Sequence, residues 1–143
     1  MNFGQNLRAL LREPFVRFGM VGAVGFVVDE TVLTIAHYLL GLGPYSARAI
    51  SIFCAITFTW WGNRNLTFAE HAVDGGVGEL AREWFKFILA NAVGAVVNYG
   101  TYSLLVRLAQ QPLGNPLVAT AIGVGVGLVF NFTLSKRFVF RAP

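Results

Sequence analysis

Two adjacent acids, Asp29 and Glu30, stand near the centre of the apolar run from Phe15 to Leu40. A carboxylate at mid-depth in a bilayer costs roughly 2.5 to 3.5 kcal/mol on insertion scales, so it faces protein or a water-filled cavity rather than lipid. Such a pair marks a wet path for a polar headgroup or a proton. The structural alternative is an ion pair, or a protonated carboxyl that donates to a neighbouring helix. The two side chains lie about 100° apart around a helix and occupy different environments. Glu30 aligns with Thr34 and His37 in a polar stripe. Its obvious counter-ion is Arg48, roughly 10 Å above it at a rise of about 1.5 Å per residue, at the edge of joint side-chain reach. Asn91, Asn98 and Asn131 also interrupt apolar runs. An amide there either meets a polar cargo or glues helices together, worth about 1 kcal/mol.

A second group, Arg17, Arg64, Lys86 and Lys136, sits at the ends of apolar runs. Guanidinium groups bind phosphate bidentately and ammonium acts as a point charge, so the four suit a ring of donors at lipid-headgroup depth. The alternative is that they set topology or touch anionic membrane lipids. No Ser/His/Asp set, clustered metal ligands or phosphate loop occurs, and the single cysteine, Cys54, lies inside an apolar run. Neither catalysis, a metal nor a cofactor is expected.

The elements that must position these groups follow from composition. The 143 residues are 55% hydrophobic and 13% charged, too apolar for a soluble domain of this size. The net charge of +4 does not imply nucleic acid, because the basic residues end apolar runs instead of lining one polar face. The fold expected is an all-α integral membrane protein with four spans, at about 15–40, 45–62, 84–108 and 117–134. Residues 1–14 form an amphipathic surface segment, and 69–83, rich in glycine and acids, a cytoplasmic linker between hairpins 15–68 and 84–143. Arg8, Arg12, Arg17, Arg64, Arg82, Lys86, Lys136, Arg137 and Arg141 fall on one side, against Arg48 and Arg107 on the other. The positive-inside rule then puts both termini and the linker in the cytoplasm.

The two hairpins are one motif written twice. Phe15-Val16-Arg17-Phe18 aligns with Trp84-Phe85-Lys86-Phe87, and Val27-Val28-Asp29 with Val96-Val97-Asn98. In the second spans Ala47 aligns with Ala119, Thr59 with Asn131, Arg64 with Lys136 and Phe68 with Phe140. Both hairpins begin and end on the same side, so the repeats are parallel, a pattern in which cargo is held at the repeat interface. Gly123 and Gly127 form a GxxxG, and Gly19, Gly22 and Gly25 thin one side of the first span; both are read as close helix crossings. A thin four-helix wall with a GxxxG face still to cover favours a homo-oligomer.

The opening FVRFGMVGAVGFVVD, the closing NRNLTF, the second opening WFKFILANAVGAVVN and the ending FNFTLSKRFVF, in that order, resemble the GtrA-like family of small four-span membrane proteins. The resemblance covers Phe15 to Phe140. It implies translocation of a polyprenyl-phosphate-linked sugar, such as undecaprenyl phosphate glucose, across the bacterial cytoplasmic membrane for modification of surface polysaccharide. Its motifs carry over to Arg17 and Lys86 at the openings and to Asn63, Arg64, Lys136 and Arg137 at the closings. Asp29, Glu30, Asn98 and Asn131 would then hydrogen-bond the cargo in transit. Two other readings stand beside it: a small proton-coupled exporter of cationic drugs, and a non-transporting accessory subunit of a membrane glycosyltransferase.

Overall fold

The computed structural model describes residues 3–141, so that Met1, Asn2, Ala142 and Pro143, at the extremes of the expected surface segment and second hairpin, lie outside the description. The described residues contain no strand and five α-helices: α1 (Phe3–Arg12), α2 (Pro14–Thr34), α3 (Pro44–Gly62), α4 (Val77–Leu108) and α5 (Pro116–Leu134). Pro14 separates the first two. It forces the preceding Glu13 into an extended conformation and then opens α2, where its missing N–H costs nothing. Leu7, Leu10 and Leu11 of α1 are all exposed, as an interfacial amphipathic helix requires.

Three membrane-length apolar stretches occur among the described residues: Pro14–Leu39, Val77–Leu108 and Val118–Val139. The chain is thus an all-helical membrane protein. The fourth expected span is a 19-residue helix, α3, in the expected place but not among these three. Ser46, Arg48, Ser51, Thr57 and Thr59 dilute its hydropathy.

The chain divides into two compact units, Met1–Ala72 and Val73–Pro143. The first packs α2 on α3 and the second α4 on α5, so each contains one hairpin. In the first, α2 widens into a π turn at Ile35–Leu39, and Gly41, at φ 67°, takes the left-handed conformation that ends it. Two further π turns, Asn63–Thr67 after α3 and Ser135–Val139 after α5, close the hairpins at matching positions.

The helix that carries the third expected span starts upstream of it: α4 begins at Val77, inside the stretch assigned to the linker. Gly76 precedes it and Glu79 lies in its first turn, where a carboxylate is favoured by the helix dipole. At 32 residues α4 is about 48 Å long, more than the roughly 30 Å of hydrocarbon. Glu83, only 2% exposed, accepts a 3.0 Å hydrogen bond from the Val73 backbone N–H and ties the shortened linker to α4. Glu83→Ala is expected to cost about 1.5 kcal/mol, the worth of a hydrogen bond to a charged group, and to speed amide exchange at Val73. A thermal melt in detergent and hydrogen exchange would measure the two effects.

Glycines set the helix crossings. A methyl on Gly25 would overlap Thr59 of α3, and one on Gly62 would lie 2.8 Å from Val21 Cγ1 of α2. Gly22 faces open space, so it takes no part in that crossing. In the second unit Gly94 lies against Asn131, while Gly123 and Gly127 form the saddle on which Asn98 rests. Both glycines are buried. The GxxxG face is therefore used up inside the hairpin and is not left for a second copy.

Candidate functional site

Each aromatic-basic-aromatic opening turns one ring inward and leaves the basic side chain outside. Phe18 and Phe87 are buried, whereas Arg17 and Lys86 are exposed. The π turns then return a second ring to the first. Phe68 meets Phe18 edge-on, with centroids 6.2 Å apart, and Phe140 meets Phe87 at the same 6.2 Å. The backbone N–H of each returning phenylalanine donates 2.8 Å to the first carbonyl of its π turn, that of Asn63 or Ser135. The two clasps are equivalent to the level of single hydrogen bonds.

Beside each clasp lies a pocket with largely apolar walls. In the first unit it has a volume of about 460 Å³ and is lined by Leu11, Arg17, Met20, Val21, Asn65, Leu66 and Ala69. Its counterpart in the second unit, of about 540 Å³, includes Lys86, Leu89, Ala90, Arg137, Phe138 and Arg141 at the positions matching Arg17 through Ala69, together with Val73, Val93, Leu134 and Val139. Asn65 and Arg137, each within a widened turn, line the pockets; of the basic residues expected at the closings, Arg137 is thus at a pocket while Arg64 and Lys136 line neither. Arg64 is half-buried and engaged within the molecule; Lys136 is exposed.

The pockets differ in what their cations do. Arg17 Nε donates to the Leu11 carbonyl at 3.1 Å, and Nη1 to the Leu66 carbonyl at 3.0 Å. Among the described residues, no hydrogen bond or ion pair engages Lys86, Arg137 or Arg141. Asn63 is 1% exposed and engaged at both ends of its amide: its Nδ2 donates to the Thr59 carbonyl at 2.9 Å and its Oδ1 accepts from Thr67 Oγ1 at 2.8 Å. It braces the π turn.

Deeper in the first hairpin, Arg48 pairs with Asp29, not with Glu30: Nη1 and Oδ2 are 2.7 Å apart. Asp29 lies four residues beyond Gly25 and so shares the face turned to α3, whereas Glu30, about 100° away, is exposed. The side chain of Asp29 is 13% exposed and that of Arg48 47%. Asp29 Oδ1 is buried without a hydrogen-bond partner. Thr34 is exposed, and His37 Nδ1 donates to the Leu42 carbonyl at 2.8 Å, so the expected polar stripe ends by closing the turn.

In the second hairpin the place of Asp29 is taken by Asn98 and that of Arg48 by Thr120, a charged pair replaced by neutral groups. Asn131, seated on Gly94, leaves its Oδ1 buried and unpartnered. Asn91 donates to the Phe87 carbonyl of its own helix at 2.9 Å. Sequence reasoning missed Glu83, Asn65 and Arg141 as contributors. The alignment of Asn65 with Arg137, and the four-residue step from Arg137 to Arg141, were the available signals.

The sequence profile of the GtrA/DPMS transmembrane domain matches residues 17–142. No curated protein matches the chain.

Proposed function

This chain belongs to the GtrA/DPMS transmembrane-domain family, and from that premise we propose that it translocates a polyprenyl-phosphate-linked sugar across the bacterial cytoplasmic membrane. It acts as a carrier, not an enzyme, with four spans and both termini in the cytoplasm. The orientation is supported by the nine-to-two bias of basic residues. A sugar phosphate is too polar to cross hydrocarbon alone, while its prenyl tail stays in lipid. The carrier therefore needs only polar groups at depth.

The observation that carries this reading is the set of polar side chains held on the membrane-length hairpins. Asp29 keeps one carboxylate oxygen unpaired beyond its bond to Arg48, and Asn131 keeps its amide oxygen unpaired. Buried acceptors of this kind call for donors, and sugar hydroxyls supply them. In a proton-coupled drug exporter the proton would have to load on Glu30, because Asp29 already holds an arginine. The cargo is delivered by a glycosyltransferase on the cytoplasmic face, and the thin helical wall favours a homo-oligomer.

Right-side-out vesicles lacking the protein are expected to make the lipid-linked sugar but not to expose it outside. Normal exposure without the protein would refute transport. Failure of the purified protein to move labelled lipid in liposomes, with copurification of the transferase, would instead assign it an accessory role.

A further inference from the structure

We propose that the two hairpins divide the work: the pocket of the second unit docks the phosphate of the carried lipid, while its counterpart in the first unit is a closed copy in which Arg17 acts as a clamp. This assignment rests on the translocation reading above. Lys86, Arg137 and Arg141 line the second pocket, whereas Arg17, Asn65 and Ala69 hold the matching positions in the first. Three cations thus stand against one, in pockets of the same origin.

The single cation of the first pocket is already committed. Two of its five N–H donors hold the last turn of α1, through the Leu11 carbonyl, to the π turn after α3, through the Leu66 carbonyl. Two donors spent on backbone carbonyls pin α1 against the hairpin and are not offered to an anion. In the second pocket the ammonium of Lys86 and the guanidinium forks of Arg137 and Arg141 have no such duties. A phosphate ester entering an apolar-walled pocket loses hydration, and charge-assisted hydrogen bonds must replace it. One point charge and two forks can do so, while Leu89, Val93 and Leu134 give the adjoining isoprenyl units an apolar wall. Val73, which also lines the pocket, is held by its backbone bond to Glu83.

The test is binding of undecaprenyl phosphate to the purified full chain in detergent, read by native mass spectrometry, with inorganic phosphate as a competitor. Lys86→Gln, Arg137→Gln and Arg141→Gln are each expected to weaken binding by about tenfold or more, the scale of one charge-assisted hydrogen bond. Arg82→Gln makes the same change of charge outside the pocket and is expected to shift affinity less than about twofold, as a screened surface charge does. Arg17→Gln is expected to lower the melting temperature and leave the affinity within the same twofold range. The three pocket side chains are exposed, so their variants should fold, which their melting curves would verify. Equal losses from Arg17→Gln and Lys86→Gln would overturn the division of labour. Wild-type binding by all three pocket variants would overturn the pocket, and full displacement by millimolar inorganic phosphate would make it a site for the free anion. Binding that depends on the three cations, in a protein that moves no lipid in liposomes, would uphold the pocket and remove only the carrier reading.

Discussion

Leucine in place of Gly127 is expected to cost about 3 kcal/mol or more and to prevent the second hairpin from closing. A single methyl at Gly127 would already lie 3.0 Å from the Gly94 carbonyl and 2.9 Å from Asn98 Cβ. The first of these is backbone and cannot rotate away. Nor can hydrophobic burial offset the strain, because in lipid the separated helices lose no apolar solvation; close packing is what holds them. Gly125, two residues earlier on the same helix, has nothing within 4 Å and is the internal control. Gly125→Leu should melt like the wild type. Thermal unfolding in detergent distinguishes the outcomes, and equal damage at both positions would mean that α4 does not cross α5 where described.

The second large effect concerns the ion pair. Arg48→Thr leaves the Asp29 carboxylate mostly buried and without its cation, and is expected to cost about 3 kcal/mol, the lower end of the range for breaking a buried pair, since Arg48 is half exposed. Asp29→Asn alone should cost less, because the guanidinium can turn to water or headgroups. Combining Asp29→Asn with Arg48→Thr copies the natural arrangement of the second hairpin, Asn98 with Thr120, and should recover most of the loss. Unfolding titrations of the two single variants and the double variant give the coupling directly. Strictly additive losses would show that Asp29 and Arg48 do not act as a pair.

The duplication was legible because a repeat preserves residue types at fixed spacing. Arg17 with Lys86 and Phe68 with Phe140 occupy equivalent places at the two openings and closings. The partner of Arg48 was not legible: Asp29 and Glu30 are adjacent in the chain, and only the rotation of α2, set by Gly25 against Thr59, decides which faces α3. The lining of the pockets was legible only in part: of the basic residues expected at the closings, Arg137 lines one and Arg64 and Lys136 line neither. Asn65 and Arg137, both within the widened turns after α3 and α5, take the matching places in the two pockets. Composition gives no warning of a π turn. The early start of α4 was hidden by Gly75, Gly76 and Gly78, which read as linker although Gly78 lies inside the helix. The GxxxG looked like a face for another copy because sequence cannot say that Asn98 of the same chain fills it.

The widened turns also bear on descent. Single π turns are uncommon, and besides the one at Ile35–Leu39, which has no counterpart after α4, this chain has one after α3 and one after α5, each closed by the same amide-to-carbonyl bond to a phenylalanine. Two independent acquisitions at one register would be a coincidence; copying one hairpin that already held the turn and its aromatic clasp accounts for both. What now differs between the halves, an acid and arginine locked together in one and a trio of unspent cations in the other, arose after the copies parted. Asymmetry is the newer trait, laid over a symmetric ancestor.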